Sequence, residues 1–508
     1  MMENSTTNFV NQYEPGKQTR VELKNGRILD VINGCYFDSG TSIILQNGKI
    51  ESLPGRATGL RIPVDFTIDL KGKTLLPSLF NTHFHMAMAG ATTMVFSLSD
   101  MWRSTKYREQ QKAKNMAECL AHGITHVRDA WEADLHDNRA LKERISKGEI
   151  PGPRILQAVA VGLPGSYLQE KPSLKSKFLM PTADPAKDYG GSVTFPVNAN
   201  EQQVRDAVDR AIDERGAEAI KIGEETASIN TGKPIPIMSN EQLCAVADQA
   251  RRRGVQSLMH HSSIESFRRG VKAGVSSLEH EPWDALLTRA DVNAFKAAGC
   301  ISDPTISVFY SMWSWKVARD PSNGSSELDR LTEFRDKTYT FATIADEYFI
   351  PEMKVGVLNG YKRCANGKPK MMGIIDVIGM LAWNPKTANA FENIHLLYEH
   401  GASMTTGNDT MPPCTPAMMS LELLMFDHIL KGKPDGKQLS GAEAVRIATI
   451  NSARCLGLEK EFGSIESGKT ADLVILNGNP LEDINAMDSV LYVVKDGELV
   501  LSPQQGAK

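Results

Sequence analysis

Residues 219–280 decide the fold. They read Ala219-Ile220-Lys221-Ile222, a helix-like stretch Asn240–Arg253, Val255-Gln256-Ser257-Leu258-Met259-His260-His261, a second helix-like stretch Ser263–Ala273, and then Ser276-Ser277-Leu278-Glu279-His280. Short apolar runs that alternate with amphipathic segments are βα units. Working outward, the same alternation continues upstream through Glu201–Arg215, Arg154–Ala160 and Gly123–Val127. Downstream it continues through Cys300–Ile306 and Ser403–Thr406. So many units favour an α/β fold, a (β/α)8 TIM-like barrel with insertions, over the rival open doubly wound sheet. No G-x-G-x-x-G follows an early strand, so a dinucleotide-binding fold has little support.

The two ends of the chain are written differently. Val21–Leu23, Ile28–Val31, Thr41–Leu45, Ile50–Ser52 and Thr67–Asp69 are short β-like runs broken by Asn25-Gly26 and Asn47-Gly48. Ala471–Leu476, Val490–Val494 and Glu498–Leu501, with Asp496-Gly497 between the last two, repeat the style. This predicts a flexible tail at 1–18 and a small β-sandwich domain built discontinuously from 19–72 and 458–503. The barrel then occupies 73–457, with a long insertion at about 307–400.

Composition bounds the functional classes. The 508 residues carry a net charge of −4, with 41% hydrophobic and 23% charged residues. That describes a globular chain, for which length alone allows about two to four domains. It offers no overall electrostatic handle for nucleic acid or an anionic membrane. No run of about 18 apolar residues suggests a membrane span. The seven cysteines form no C-x-x-C pair and read as reduced thiols. With a polar start lacking an apolar signal core, this makes a cytoplasmic protein the expectation.

The chemistry-bearing residues fall at strand ends. His83-Phe84-His85 follows the apolar run Thr74–Phe80, and residues i and i+2 of a strand share a face, so both imidazoles can converge on one ion. Alone that motif is weak. Lys221, His260 with His261, His280 and Asp409 each close a predicted strand as well, and the C-terminal face of a barrel is where catalytic groups gather.

This constellation resembles the amidohydrolase superfamily, in particular its imidazolonepropionase-like and prolidase-like members. The resemblance is carried by Leu76–His85, Gly123–Asp129, Gly152-Pro153-Arg154, Ala219–Ile222, Ala273–His280 and Thr406–Asp409. It also rests on the C-terminal blocks Ala448–Ala453, Gly463–Val474 and Asn479-Pro480. It implies two divalent metal ions, zinc first, with manganese, cobalt or iron acceptable to the same donors. By that resemblance His83, His85 and Asp409 hold one ion and His260 and His280 the other. Lys221, as a CO2-derived carbamate, bridges them. His260 is preferred to His261 because its spacing to His280 fits the family register. A rival reading of the residues keeps Lys221 as a plain cation facing a substrate carboxylate beside a single ion.

The implied reaction is hydrolysis of an amide-type C–N bond: an amide, N-acyl amino acid, dipeptide, carbamate or urea. A hydroxide bridging the ions is the nucleophile, and Asp409 acts as general base and then acid. Alternatives are deamination of a heterocycle, opening of a cyclic amide, or a non-enzymatic scaffold. Lys221 counts against the first, because deaminase relatives lack the bridging lysine; the filled ligand positions count against the last. Ser78 and Asn81 stand where relatives carry Gly and Asp, Ser262 follows His260 where relatives have a second histidine, and Gly165-Ser166-Tyr167 replaces a Gly-Gly-His turn.

Expected substrate contacts are Tyr167, His261, Phe309 and Trp313. Phe309, Tyr310, Met312, Trp313 and Trp315 open the long insertion and suit a bulky apolar or aromatic small-molecule substrate. Ordinary packing of the insertion or a subunit interface is an equal reading of those residues. Oligomers are common among such barrels, so a homo-oligomer is expected; no nucleic-acid or membrane partner is.

Overall fold

The computed structural model describes residues 20–53, 63–86, 98–132, 135–169, 190–228, 232–307, 348–354, 387–409, 415–431 and 438–501. Phe309 and Trp313, with most of the expected insertion, lie outside them. The chain divides into two compact units: residues 1–80, 117–126 and 439–508, and residues 81–116 and 127–438.

The first unit contains two sheets assembled from both ends of the chain. One runs in the order Lys49–Ser52, Ile43–Gln46, Val21–Lys24, Phe66–Asp69. The other runs Glu498–Leu501, Val490–Lys495, Leu473–Leu476, Thr74–Pro77, Arg27–Asp30, Cys35–Tyr36. Val21, Leu23, Ile43 and Leu45 from the first sheet and Ile28, Leu75, Leu473 and Ile475 from the second share one core, the arrangement of a sandwich. The turn signals behave as written. Asn47 with Gly48 and Asp496 with Gly497 take positive φ in hairpins between paired antiparallel strands, whereas Asn25, also at positive φ, turns the chain from one sheet into the other.

The barrel is a run of parallel strands: Leu79–Phe84, Ile124–Asp129, Arg154–Gly162, Ala219–Glu224, Gln256–His261, Ser277–Glu279 and Ile301–Asp303. The expected run Ser403–Thr406 closes it with a single bridge, Ser302 to Met404. On one side the Thr405 amide donates to the Ser302 carbonyl at 3.0 Å, and on the other the Thr82 amide donates to Thr406 at 2.8 Å. The eighth position of the barrel is therefore filled by hydrogen bonds from both neighbours.

Its helices start where the sequence supplies caps. Asn200 with Gln203 and Ser239 with Gln242 form reciprocal capping boxes at the starts of Glu201–Asp213 and Asn240–Arg252. Ser263 caps Ile264–Ala273, which stops at Gly274 in the left-handed conformation. Apolar stripes such as Val204, Ala207, Val208 and Ala211 bury against the strands, each branched side chain contributing about 1.5–3 kcal/mol.

Near the edges of the expected insertion, the described chain is tied down. Asn393 Nδ2, on the helix Thr387–Glu399, donates to the Pro282 and Ala285 carbonyls at 2.8 and 3.0 Å. No helix among the described residues is long and apolar enough to cross a membrane.

Candidate metal centre

His83 and His85 emerge together from the end of the first barrel strand. His83 is fully buried, and its Nδ1 is hydrogen-bonded to the Glu279 carboxylate. Its Nε2 is buried with no hydrogen-bond partner among the described residues. His85 Nδ1 donates to the Trp131 carbonyl at 2.8 Å, which leaves the Nε2 lone pair free to bind. The Asp409 amide donates to the His83 carbonyl at 2.9 Å and so brings its carboxylate over both rings. Asp409 Oδ1 lies 3.4 Å from His85 Nε2 and 3.7 Å from His83 Nε2, while Oδ2 lies 3.9 Å from His280 Nε2.

His280 follows the sixth strand in a left-handed conformation, φ 72°, and its Nδ1 meets Thr305 Oγ1 at 2.5 Å. His260 sits one strand over, its ring 4.7 Å from that of His280. His260 Nε2 lies 3.0 Å from Glu225 Oε1, and Ser262 Oγ donates to the other Glu225 oxygen at 2.8 Å. The ring nitrogen left over at His260 is Nδ1. Burial drives the pKa of both His83 and His280 well below the usual range, helped by neighbouring cationic groups, so both rings stay neutral.

Lys221 projects from the fourth strand and is 2% exposed. Burial lowers its pKa, while Glu279 and Asp409 pull the other way. No hydrogen bond or ion pair holds its ammonium among the described residues. A partnerless buried lysine, an orphaned buried imidazole nitrogen and a carboxylate facing three imidazoles form a donor set that suits divalent cations. His83, His280 and Asp409 present ligand atoms within 4.8 Å of one another.

The amidohydrolase family model matches residues 74–500. The chain belongs to the amidohydrolase family. An imidazolonepropionase from Symbiobacterium thermophilum is 34% identical over 108 residues, 21% of this chain and 24% of that protein. A 5-methylthioadenosine/S-adenosylhomocysteine deaminase from Thermoanaerobacter pseudethanolicus is 34% identical over 95 residues, 18% of this chain and 22% of that one. The chain thus matches only about a quarter of the length of these curated relatives. A solved Xaa-Pro dipeptidase with bound methionine in its active site shares the fold, with TM-score 0.63, 21% identity and coverage of 95% of this chain and 100% of that one.

Two expectations about this amidohydrolase change with the geometry. His261, expected at the substrate, lies on the opposite side of its strand from His260. It is fully buried, bonded at 3.0 Å to the Glu279 carbonyl, with its ring 5.8 Å from Phe267 of a barrel helix. Burial pushes its pKa down to about 3. Adjacent strand residues face opposite ways, so the two histidines cannot both enter the site. Tyr167 does reach the site, but as a ring stacked on His260, 4.4 Å between centroids and 16° between planes. Gly223, paired with His260 across the sheet, makes room: a Cβ there would stand 2.9 Å from the tyrosine ring.

Sequence reasoning missed the layer beneath the candidate ligands. Arg128, wholly buried, donates from Nε to the Thr82 carbonyl at 2.7 Å and from Nη2 to Glu279 Oε1 at 3.0 Å. The same nitrogen is 3.7 Å from Asp303, whose carboxyl is raised well above its usual range by burial and then by Glu279. Glu279 therefore connects a guanidinium to His83 and fixes the tautomer of that ring. Arg128, Glu279 and Asp303 are charged residues inside short apolar strands. That was the available signal.

The departures from the family motif also find partners. Asn81 Nδ2 donates to Asn408 Oδ1 and to the Pro416 carbonyl, joining the first strand to the Asp409 turn, and Ser78 pairs with Thr125.

Proposed function

We propose that this amidohydrolase is a binuclear metal-dependent enzyme that hydrolyses an amide-type C–N bond in a small molecule with a bulky apolar or aromatic part. The observation that carries the proposal is the gathering of His83, His85, His260, His280 and Asp409 on the ends of barrel strands, with Lys221 buried and unpartnered. His83, His85 and Asp409 would hold one ion and His260 and His280 the other. Zinc is the first choice, with manganese, cobalt or iron acceptable.

Lys221 would serve both ions as a shared anionic ligand. Burial favours its neutral amine, which adds CO2 at nitrogen and releases one proton, leaving an anionic carbamate with two oxygens. Bound divalent ions would polarise the scissile carbonyl and lower the pKa of an attacking water. Asp409 accepts the proton of that water and delivers it to the departing nitrogen. Glu279 and the Trp131 carbonyl, both acceptors, hold the imidazoles of His83 and His85 in fixed tautomers, and the Thr305 hydroxyl orients that of His280. Tyr167 covers His260 with its ring. The apolar part of the substrate is inferred from the aromatic and methionine residues at 309–315. A reducing, cytoplasmic setting and a homo-oligomeric assembly complete the proposal.

Metal analysis tests the centre: about two ions per chain are expected, with loss on Lys221→Ala, and a wild type holding one ion that survives Lys221→Ala would sink the bridged site. A product-resolved screen of amide, carbamate, urea and heterocycle libraries tests the reaction. Carboxylate and amine products are expected from amides. Ammonia released from a heterocycle would favour the deaminase reading, to which the local likeness to a deaminase belongs. No turnover by fully loaded protein would refute hydrolase function.

A further inference from the structure

Glu422 lies on the helix Met419–Lys431, is fully buried, and among the described residues forms no hydrogen bond or ion pair with a proposed ligand. Its carboxylate has a specific use. Oε1 accepts from the Ile306 amide at 2.7 Å, Oε2 accepts from the Ser307 amide at 2.7 Å, and the Ser307 hydroxyl donates to Oε2 as well. A buried carboxylate is costly unless hydrogen-bonded, and here three donors from two consecutive residues meet it.

The residue just before those donors is Thr305, whose φ is 48°. A β-branched residue rarely adopts the left-handed region. Such strain, about 1–3 kcal/mol, persists only where the surroundings over-determine it. Thr305 uses that conformation to place Oγ1 2.5 Å from His280 Nδ1. His280 is itself left-handed, with its amide bonded to the Asp303 carbonyl at 2.8 Å. The carboxylate thus clamps the chain immediately after a strained residue whose hydroxyl orients an imidazole.

We propose that Glu422 is a positioning residue for the metal centre: by clamping the Ile306 and Ser307 amides it holds Thr305 in its left-handed turn and so aims His280 Nε2 at the second ion. The inference rests on the reading of His280 as a ligand. Gln at 422 can accept from only one side, and its amide nitrogen would face a donor, so the clamp half-opens. Thr305→Ser keeps the hydroxyl; Thr305→Ala removes it.

Equilibrium binding of Co2+ to the metal-stripped full chain, followed by its visible spectrum and by chelator competition, reads the two ions separately. Glu422→Gln is expected to weaken one ion by about 10–100-fold and leave the other unchanged, the range seen when an orienting partner of a ligand is lost. Thr305→Ala should match it, Thr305→Ser should restore near-wild-type binding, and Glu422→Gln/Thr305→Ala should be no worse than either single change. Equal weakening of both ions, additive effects, or a lowered Tm with unchanged Co2+ affinity would overturn the proposal. If Glu422→Gln does not fold, Ser307→Ala removes one of the three donors and carries the same expectation at smaller size. Here, unchanged binding overturns it. His280→Ala in parallel separates the two readings: an ion lost there but retained in Glu422→Gln overturns the positioning role alone, while both ions retained in both overturns the ligand assignment too.

Discussion

Arg128→Met is the sharpest test of the electrostatics under the site. Methionine roughly preserves the length and apolar stem of the side chain, so the change isolates the guanidinium. Glu279 loses its donor at 3.0 Å and the Thr82 carbonyl its donor at 2.7 Å, while Asp303 loses the cation 3.7 Å away. All three groups are buried. Breaking a buried ion pair costs about 3–5 kcal/mol, and an unpaired buried carbonyl about 1–3 kcal/mol. These are not independent, and Asp303, whose carboxyl is pushed up, escapes part of the cost by binding a proton. About 4 kcal/mol is therefore expected. With a urea slope of about 3–4 kcal/mol/M for a chain this size, the unfolding midpoint of metal-stripped protein near neutral pH should fall by about 1 M. Arg128→Met/Asp303→Asn should recover part of the loss, because one of the stranded charges is gone. A midpoint within about 0.2 M of wild type, or a double variant weaker than the single one, would refute the idea that Arg128 compensates buried carboxylates.

Three further outcomes are expected. Asp409→Asn keeps a ligand oxygen but loses the base, so turnover on any substrate found should fall by about 10²–10⁴-fold while the folded protein persists; turnover within about 3-fold of wild type would remove Asp409 from proton transfer. Gly223→Ala places a Cβ 2.9 Å from the Tyr167 ring, so the tyrosine must shift off His260, and KM should change more than Tm; unchanged kinetics would mean the stack does not bear on the substrate. Hydrogen bonds from Arg268 hold the Asp291 carboxyl down at about 2. A folded pKa below the unfolded one gives stability that is present above about pH 4 and lost as pH falls towards 2. The difference in urea midpoint between wild type and Asp291→Asn should hold steady above about pH 5 and shrink below about pH 3.5, and a pH-independent difference would contradict that linkage.

Much of the architecture was legible because its signals are local. The Asn47-Gly48 and Asp496-Gly497 hairpins need only two residues with positive φ, and strand alternation alone puts His83 with His85 on one face. The same alternation speaks against the expected place of His261 at the substrate, since a period of two sends it away from the side taken by His260. What was not legible depends on contacts between distant strands. Nothing near Glu279 in the chain announces that it will hydrogen-bond His83, or that Arg128 will sit on its other oxygen. Glu225 is one of two adjacent glutamates, and only the register of the fourth strand against the fifth decides which one meets His260. Closure was read from Ser403–Thr406 as a strand, yet a single bridge and flanking hydrogen bonds do the closing.

That closure has a consequence for how the centre comes into being. Asn81 and Asn408, which hydrogen-bond across the seam between the first and last barrel positions, are 327 residues apart in sequence. At about 5–20 residues per second of synthesis, the His-x-His pair waits roughly 15–65 seconds on the ribosome before Asp409 exists. Until then the nascent chain presents only a fragment of that donor set, and the sealing of the barrel and the gathering of His83, His85 and Asp409 are one step.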